Sequence, residues 1–116
     1  MLTKSARLTE SSDFARTTKS GHRAATEFFV GYLYLTNTKE SPKAGLIISK
    51  SVGGSVLRHR IARKARHAIG QNIAALPAGS LFVLRAIGKA EKAQTTQEVS
   101  EIISRLVKKS NQVGAE

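Results

Sequence analysis

The sequence predicts an α+β domain, and three observations carry that prediction. Residues 27–36 (EFFVGYLYLT) and 80–87 (SLFVLRAI) are dense in aromatic and branched side chains, as strands are. A long cationic segment between them has helical spacing, and residues 95–109 place apolar side chains three and four apart. The order is therefore helix, strands, basic helix, strand, helix, the pattern of an α-β sandwich. With 116 residues the chain can build one core but not two, so a single domain over 1–116 is expected, ordered from about 7 to 109.

The elements follow in order. Residues 1–10 are polar and expected to be loose. Residues 11–21 (SSDFARTTKSG) read as a short helix, with Ser11 or Ser12 as N-cap and Gly21 as terminator. A short strand also fits residues 22–25. After the strand at 27–36, residues 37–43 (NTKESPK) form a turn and 44–50 (AGLIISK) a further strand. The basic helix spans about 55–74, ending before the Leu76-Pro77-Ala78-Gly79 break, and Gly88 closes the strand at 80–87. In the last helix Thr95 and Glu98 have capping-box spacing. Val99, Ile102, Ile103, Leu106 and Val107 share one face, Lys108 and Lys109 suit the helix dipole, and 110–116 read as frayed.

Charge narrows the function. Nineteen Lys and Arg against eight Asp and Glu leave a net charge of +11, yet 41% of residues are hydrophobic, as in a folded domain. There is no cysteine, so disulfides and thiolate metal sites are excluded. No secretory h-region opens the chain, and no run of about 18 apolar residues occurs; a soluble intracellular protein with no membrane association is expected. The cations are concentrated. Residues 50–67 (KSVGGSVLRHRIARKARH) hold six Lys and Arg and two His, and no acid occurs between Glu40 and Glu91. A single-sign surface repels itself unless a polyanion neutralises it, and nucleic acid is the commonest such partner.

At 3.6 residues per turn, Leu57, Ile61, Ala65, Ala68 and Ile69 fall on one side of the basic helix. His59, Arg60, Arg63, Lys64, Arg66 and His67 take the opposite arc, with Arg58 at the border. No acid stands three or four positions away to pair with these cations, and guanidinium forks grip two phosphate oxygens at once. Gly53-Gly54-Ser55 lacks P-loop spacing; it reads as a turn, or as backbone N–H groups offered to a phosphate. In the first long strand Phe29, Gly31, Leu33 and Leu35 form the natural core face. Phe28, Val30, Tyr32 and Tyr34 alternate to the other side, where tyrosine rings could stack on unpaired bases and Phe14 could wall a cleft. The three histidines are scattered, acids are sparse, and no nucleophile elbow is visible, so nothing points to a protein-borne catalytic or metal site.

The segment SKSVGGSVLRHRIARKARHAI closely resembles the signature of the bacterial ribonuclease P protein component, roughly S-K-K-V-G-N-A-V-x-R-N-R-x-K-R-x-x-R. Ser49, Lys50, Val52, Gly53, Val56, Arg58, Arg60, Arg63 and Arg66 stand at matching positions. Asp13-Phe14, Gly21 and the Phe28 to Tyr32 spacing also fit, so the resemblance covers about residues 7–109. There are departures: His59 replaces an asparagine, Ala62 a lysine, and Thr18 a phenylalanine of the leader cleft.

The resemblance implies an α+β two-layer sandwich with a left-handed β-α-β crossover, the ribosomal protein S5 domain 2-like fold, against the general right-handed rule. It implies the protein subunit of an endoribonuclease that removes 5′ leaders from precursor tRNA, with no catalytic residue or metal site in the protein. Lys50, Arg58, His59, Arg60, Arg63, Lys64 and Arg66 would bind the catalytic RNA, and Phe14, Tyr32 and Tyr34 would line the leader cleft. Mg²⁺ would be held mainly by the RNA, and no protein partner is implied. The alternative is a ribosomal-protein-like structural RNA binder, which shares the composition. A helix-turn-helix DNA binder fits poorly, because strands flank the basic helix.

Overall fold

The computed structural model describes residues 7–8, 10–36, 38–90 and 94–114, with side chains up to 110. Helix α1 (Ser11–Ser20) leads into β1 (His22–Ala25), β2 (Phe29–Leu35) and β3 (Lys43–Ile48). Helix α2 (Ser55–Asn72) crosses over to β4 (Ser80–Ala86), and α3 (Thr95–Gly114) follows. The sheet order is β1-β2-β4-β3; β2 is antiparallel to β1 and β4, while β3 and β4 are parallel across the α2 crossover.

Alternation gives the sheet two faces. Phe29, Leu33, Ala44, Phe82, Leu84 and Ala86 pack with Ile61, Ala65, Ala68 and Ile69 of α2 and Val99, Ile102, Ile103 and Leu106 of α3. This is the main core, on the faces that the apolar spacing predicts. The opposite face carries a smaller cluster, in which Phe14, Tyr32, Tyr34 and Ile47 pack against Leu8, Leu81 and Val83 beneath α1. Residues 7–8 run along the outside of β3, where the Leu8 N–H donates to the Ala44 carbonyl at 2.8 Å. That pairing covers an edge strand that would otherwise expose its backbone.

Several local expectations need correction. Neither Ser11 nor Ser12 caps α1: Glu10 takes that position, and its carbonyl accepts from the Asp13 and Phe14 N–H groups. Lys50 leaves the strand for a single 3₁₀ turn (Lys50–Val52), whose start is capped by the Ser49 hydroxyl. Phe28 precedes β2 and packs toward the main core, not with the tyrosines. Thr95 and Glu98 make no capping box. Thr95 is already helical, and one Glu98 carboxylate oxygen accepts from the Thr26 hydroxyl at 2.7 Å and the Phe28 N–H at 3.3 Å. Helix α3 also continues to Gly114 instead of fraying after Lys109. Lys108 and Lys109 therefore lie before its last turn, and the Lys109 ammonium donates to the Arg23 carbonyl.

Candidate nucleic-acid interface

Helix α2 begins from a backbone that only glycine accepts readily. Gly53 has φ of 147°, and a Cβ there would meet Leu57 Cδ2 at 2.7 Å. Gly53 and Gly54 thus make the turn that aims α2 across the sheet. Ile61, Ala62, Ala65, Ala68 and Ile69 are buried, and this fixes the helix rotation. His59, Arg60, Arg63, Lys64, Arg66 and His67 are consequently all exposed, as is Lys50 beside the N-terminus of α2. The helix has no acid in its first turn, and neither ion pair among the described residues involves it. The cationic ridge is real and unneutralised from within the described chain.

Arg58 differs from the others. It is half-buried, and its Nε is buried without a hydrogen-bond partner. Together with Ile48, Ser55, His59, Ala62 and Arg66 it lines a pocket of about 270 Å³. Buried N–H groups are normally satisfied, yet this guanidinium nitrogen, in a pocket shared with Arg66 and His59, has no partner among the described residues. Ala62 is one wall of this pocket.

The tyrosine face lies on the other side of the sheet. Phe14 comes from α1 and sits directly on Gly45 of β3, where a Cβ would be 2.5 Å from Phe14 Cε1. Tyr32 is partly exposed beside Val83, its cross-strand partner on β4. Tyr34 is less free: the Arg16 guanidinium lies 5.2 Å from its ring centroid, and Arg16 also pairs with Asp13 at 2.8 Å. Thr18 adds no donor to the cleft, because its hydroxyl donates to the Phe14 carbonyl at 3.0 Å. The structure therefore brings Phe14, Tyr32 and Tyr34 together, and keeps them apart from the ridge. Strand β3 joins the two surfaces: α2 packs on one side of it and Phe14 on the other.

Besides Lys43, which stands across from Leu81, two further cations share the tyrosine face. Arg23 pairs directly across from Tyr32, and Arg85 across from Val30 and Ile47. Both are isolated charges in short strands, so no charge run marks them; only the strand parity of Leu81, Val83 and Arg85 hints at the second. Among the described residues no group of three or more His, Cys, Asp and Glu side chains is positioned to hold a metal ion.

The family model described as Ribonuclease P matches residues 2–110, nearly the whole chain. The chain belongs to the bacterial ribonuclease P protein family. It is 35% identical to the ribonuclease P protein component of Acidothermus cellulolyticus over 118 aligned positions, covering 98% of each chain. Identity to the Streptomyces griseus protein is 36%, covering 92% of this chain and 96% of that one. The solved ribonuclease P protein of Staphylococcus aureus superposes with a TM-score of 0.72 at 26% identity, covering 92% of this chain and 96% of that one. The Thermotoga maritima protein superposes at 0.68 with 23% identity, covering 89% and 96%, which speaks to the fold. The four-stranded mixed sheet with three helices is thus the ribonuclease P protein fold. The chain is the protein subunit of ribonuclease P, the endoribonuclease holoenzyme that processes the 5′ leader of precursor tRNA, and its partner is the ribonuclease P RNA. No described helix is long and apolar enough to cross a membrane.

Proposed function

We propose that the protein serves ribonuclease P through two separate surfaces, the α2 ridge for the catalytic RNA and the Phe14–Tyr32 cleft for the leader of the precursor. The observation that carries this reading is the division by the sheet: an unpaired cationic helix surface on one side, partly exposed aromatics on the other. Lys50, Arg60, Arg63 and Lys64 neutralise phosphates of the folded RNA, while Arg58, His59 and Arg66 close around one phosphate in the pocket at the base of α2. Unpaired leader bases stack on Tyr32 and against Phe14, with Tyr34 held behind them by Arg16.

In this reading the protein contributes binding and orientation, and no side chain takes part in bond breaking. The Mg²⁺ required for hydrolysis is assigned in this reading mainly to RNA oxygens. By placing cations beside both RNAs, the protein lowers the repulsion that Mg²⁺ must otherwise screen. The setting is the cytoplasm, where precursor tRNA is made, and no further protein is required. The test is cleavage of a precursor by the cognate RNA subunit at limiting Mg²⁺, with and without the protein. A clear rise in rate with protein supports this reading; no rise would favour a structural RNA-binding role.

A further inference from the structure

The sheet face that carries the leader cleft is only partly covered by α1. Register sets out its rows. Tyr34 and Leu81 share one row, Arg23, Tyr32 and Val83 the next, and Val30, Arg85 and Ile47 the third. Phe14 reaches the middle row at Gly45, and Arg16 lies above Tyr34, so α1 lies over the first row and part of the second. Beyond α1, Arg85 in the third row and Arg23 at the β1 end of the second are exposed, while Val30 beside Arg85 is buried and Ile47 half-buried. Both arginines are exposed, and neither guanidinium has an ion-pair or hydrogen-bond partner among the described residues. No Asp or Glu occupies any position of these rows.

We propose that Arg23 and Arg85 extend the leader site beyond the aromatic cleft, each holding a backbone phosphate of leader nucleotides on either flank of Tyr32. The proposal rests on the leader-cleft reading above and adds to it a direction of travel, out of the cleft across β2 toward β1 and β4. Directly opposed residues on neighbouring strands have Cβ atoms about 5 Å apart, and diagonal ones about 7–8 Å. Arg23 and Arg85 are therefore both within side-chain reach of a nucleotide stacked on Tyr32. A base has a π-face for the ring and a phosphate for each fork, which is how single strands are held without sequence readout. A protein or a free anion explains the pattern less well: the face joins an aromatic platform to dispersed cations and has no closed anion pocket.

The test uses holoenzyme reconstituted with the cognate RNA subunit and precursors whose leaders increase from about two to ten nucleotides. For the wild type, affinity should rise with leader length. In the Arg23→Gln/Arg85→Gln double variant, long-leader precursors should bind about 5- to 30-fold more weakly. At about 0.7 per single-strand phosphate, the salt slope for these precursors should become shallower by roughly 1.4. Mature tRNA affinity and RNA-subunit affinity should not change. Arg23→Lys/Arg85→Lys should recover most of the slope, which separates charge from folding. An unchanged leader-length dependence would overturn the proposal while leaving the cleft intact. Equal weakening for mature tRNA or for the RNA subunit would also overturn it, by assigning these arginines to another surface. Partial loss of leader dependence in Tyr32→Ala and in the Arg variant, with a larger loss when the changes are combined, is the pattern that supports both readings.

Discussion

Phe14 and Gly45 interlock: the Phe14 ring, delivered by α1, fills the space that any side chain at position 45 of β3 would need. The fit positions α1 over the sheet face that carries Tyr32 and Tyr34. Gly45→Ala would drive its methyl group into the ring and toward Leu8 Cβ, which a Cβ at this position meets at 3.2 Å. Overpacking of this kind costs about 1–3 kcal/mol. A denaturant titration should show that loss, and binding assays should show weaker precursor affinity with unchanged affinity for the RNA subunit.

Glu98 provides a second test of construction. Its carboxylate clamps the turn between β1 and β2 to the start of α3 through the Thr26 hydroxyl and the Phe28 N–H. Hydrogen bonds to a charged group are worth about 1.5–3 kcal/mol. Glu98→Ala should lower thermal stability by an amount in that range, and Glu98→Gln by less, since an amide oxygen still accepts. Neither change should alter the salt dependence of RNA binding.

The ridge should account for assembly with the RNA subunit. Arg60 and Arg63 are exposed, unpaired and near the middle of α2. Replacing both with Ala should weaken assembly by a few kcal/mol, at about 1–3 per charge-assisted contact. In the wild type, log K against log salt should slope at roughly −3 to −5 if four to six cations each neutralise a phosphate. A filter-binding titration of the folded double variant measures both quantities, and unchanged affinity would remove the ridge from the interface.

Much of this was legible in the sequence because period and charge agree. Ile61, Ala65, Ala68 and Ile69 define a buried stripe, and that stripe alone dictates that Arg60, Arg63 and Lys64 face outward. The alternation of Phe29, Gly31 and Leu33 likewise places Tyr32 on the opposite face. What escaped depends on contacts between distant segments. Glu98 has the spacing of a capping box, but Thr26 and Phe28, 72 and 70 residues away, compete for its carboxylate and win. Arg23 joins the tyrosine face only through strand register, and Arg85 is hinted at only by its parity with Leu81 and Val83. The half-burial of Arg58 depends on how α2 settles against Ile48 at the end of β3. Helix α3 runs on past Lys109 because no proline or glycine interrupts it before Gly114.

The most direct measurement of the two-surface account compares precursor with mature tRNA for holoenzyme containing Tyr32→Ala. Stacking is worth about 1–3 kcal/mol per base, and Thr18 in place of a second aromatic puts the expected loss at the lower end. The account predicts that precursor affinity falls by that amount while mature tRNA affinity and RNA-subunit affinity stay as in the wild type. Equal loss for precursor and mature tRNA would contradict it, and would make Tyr32 a residue of the fold and not of the leader site.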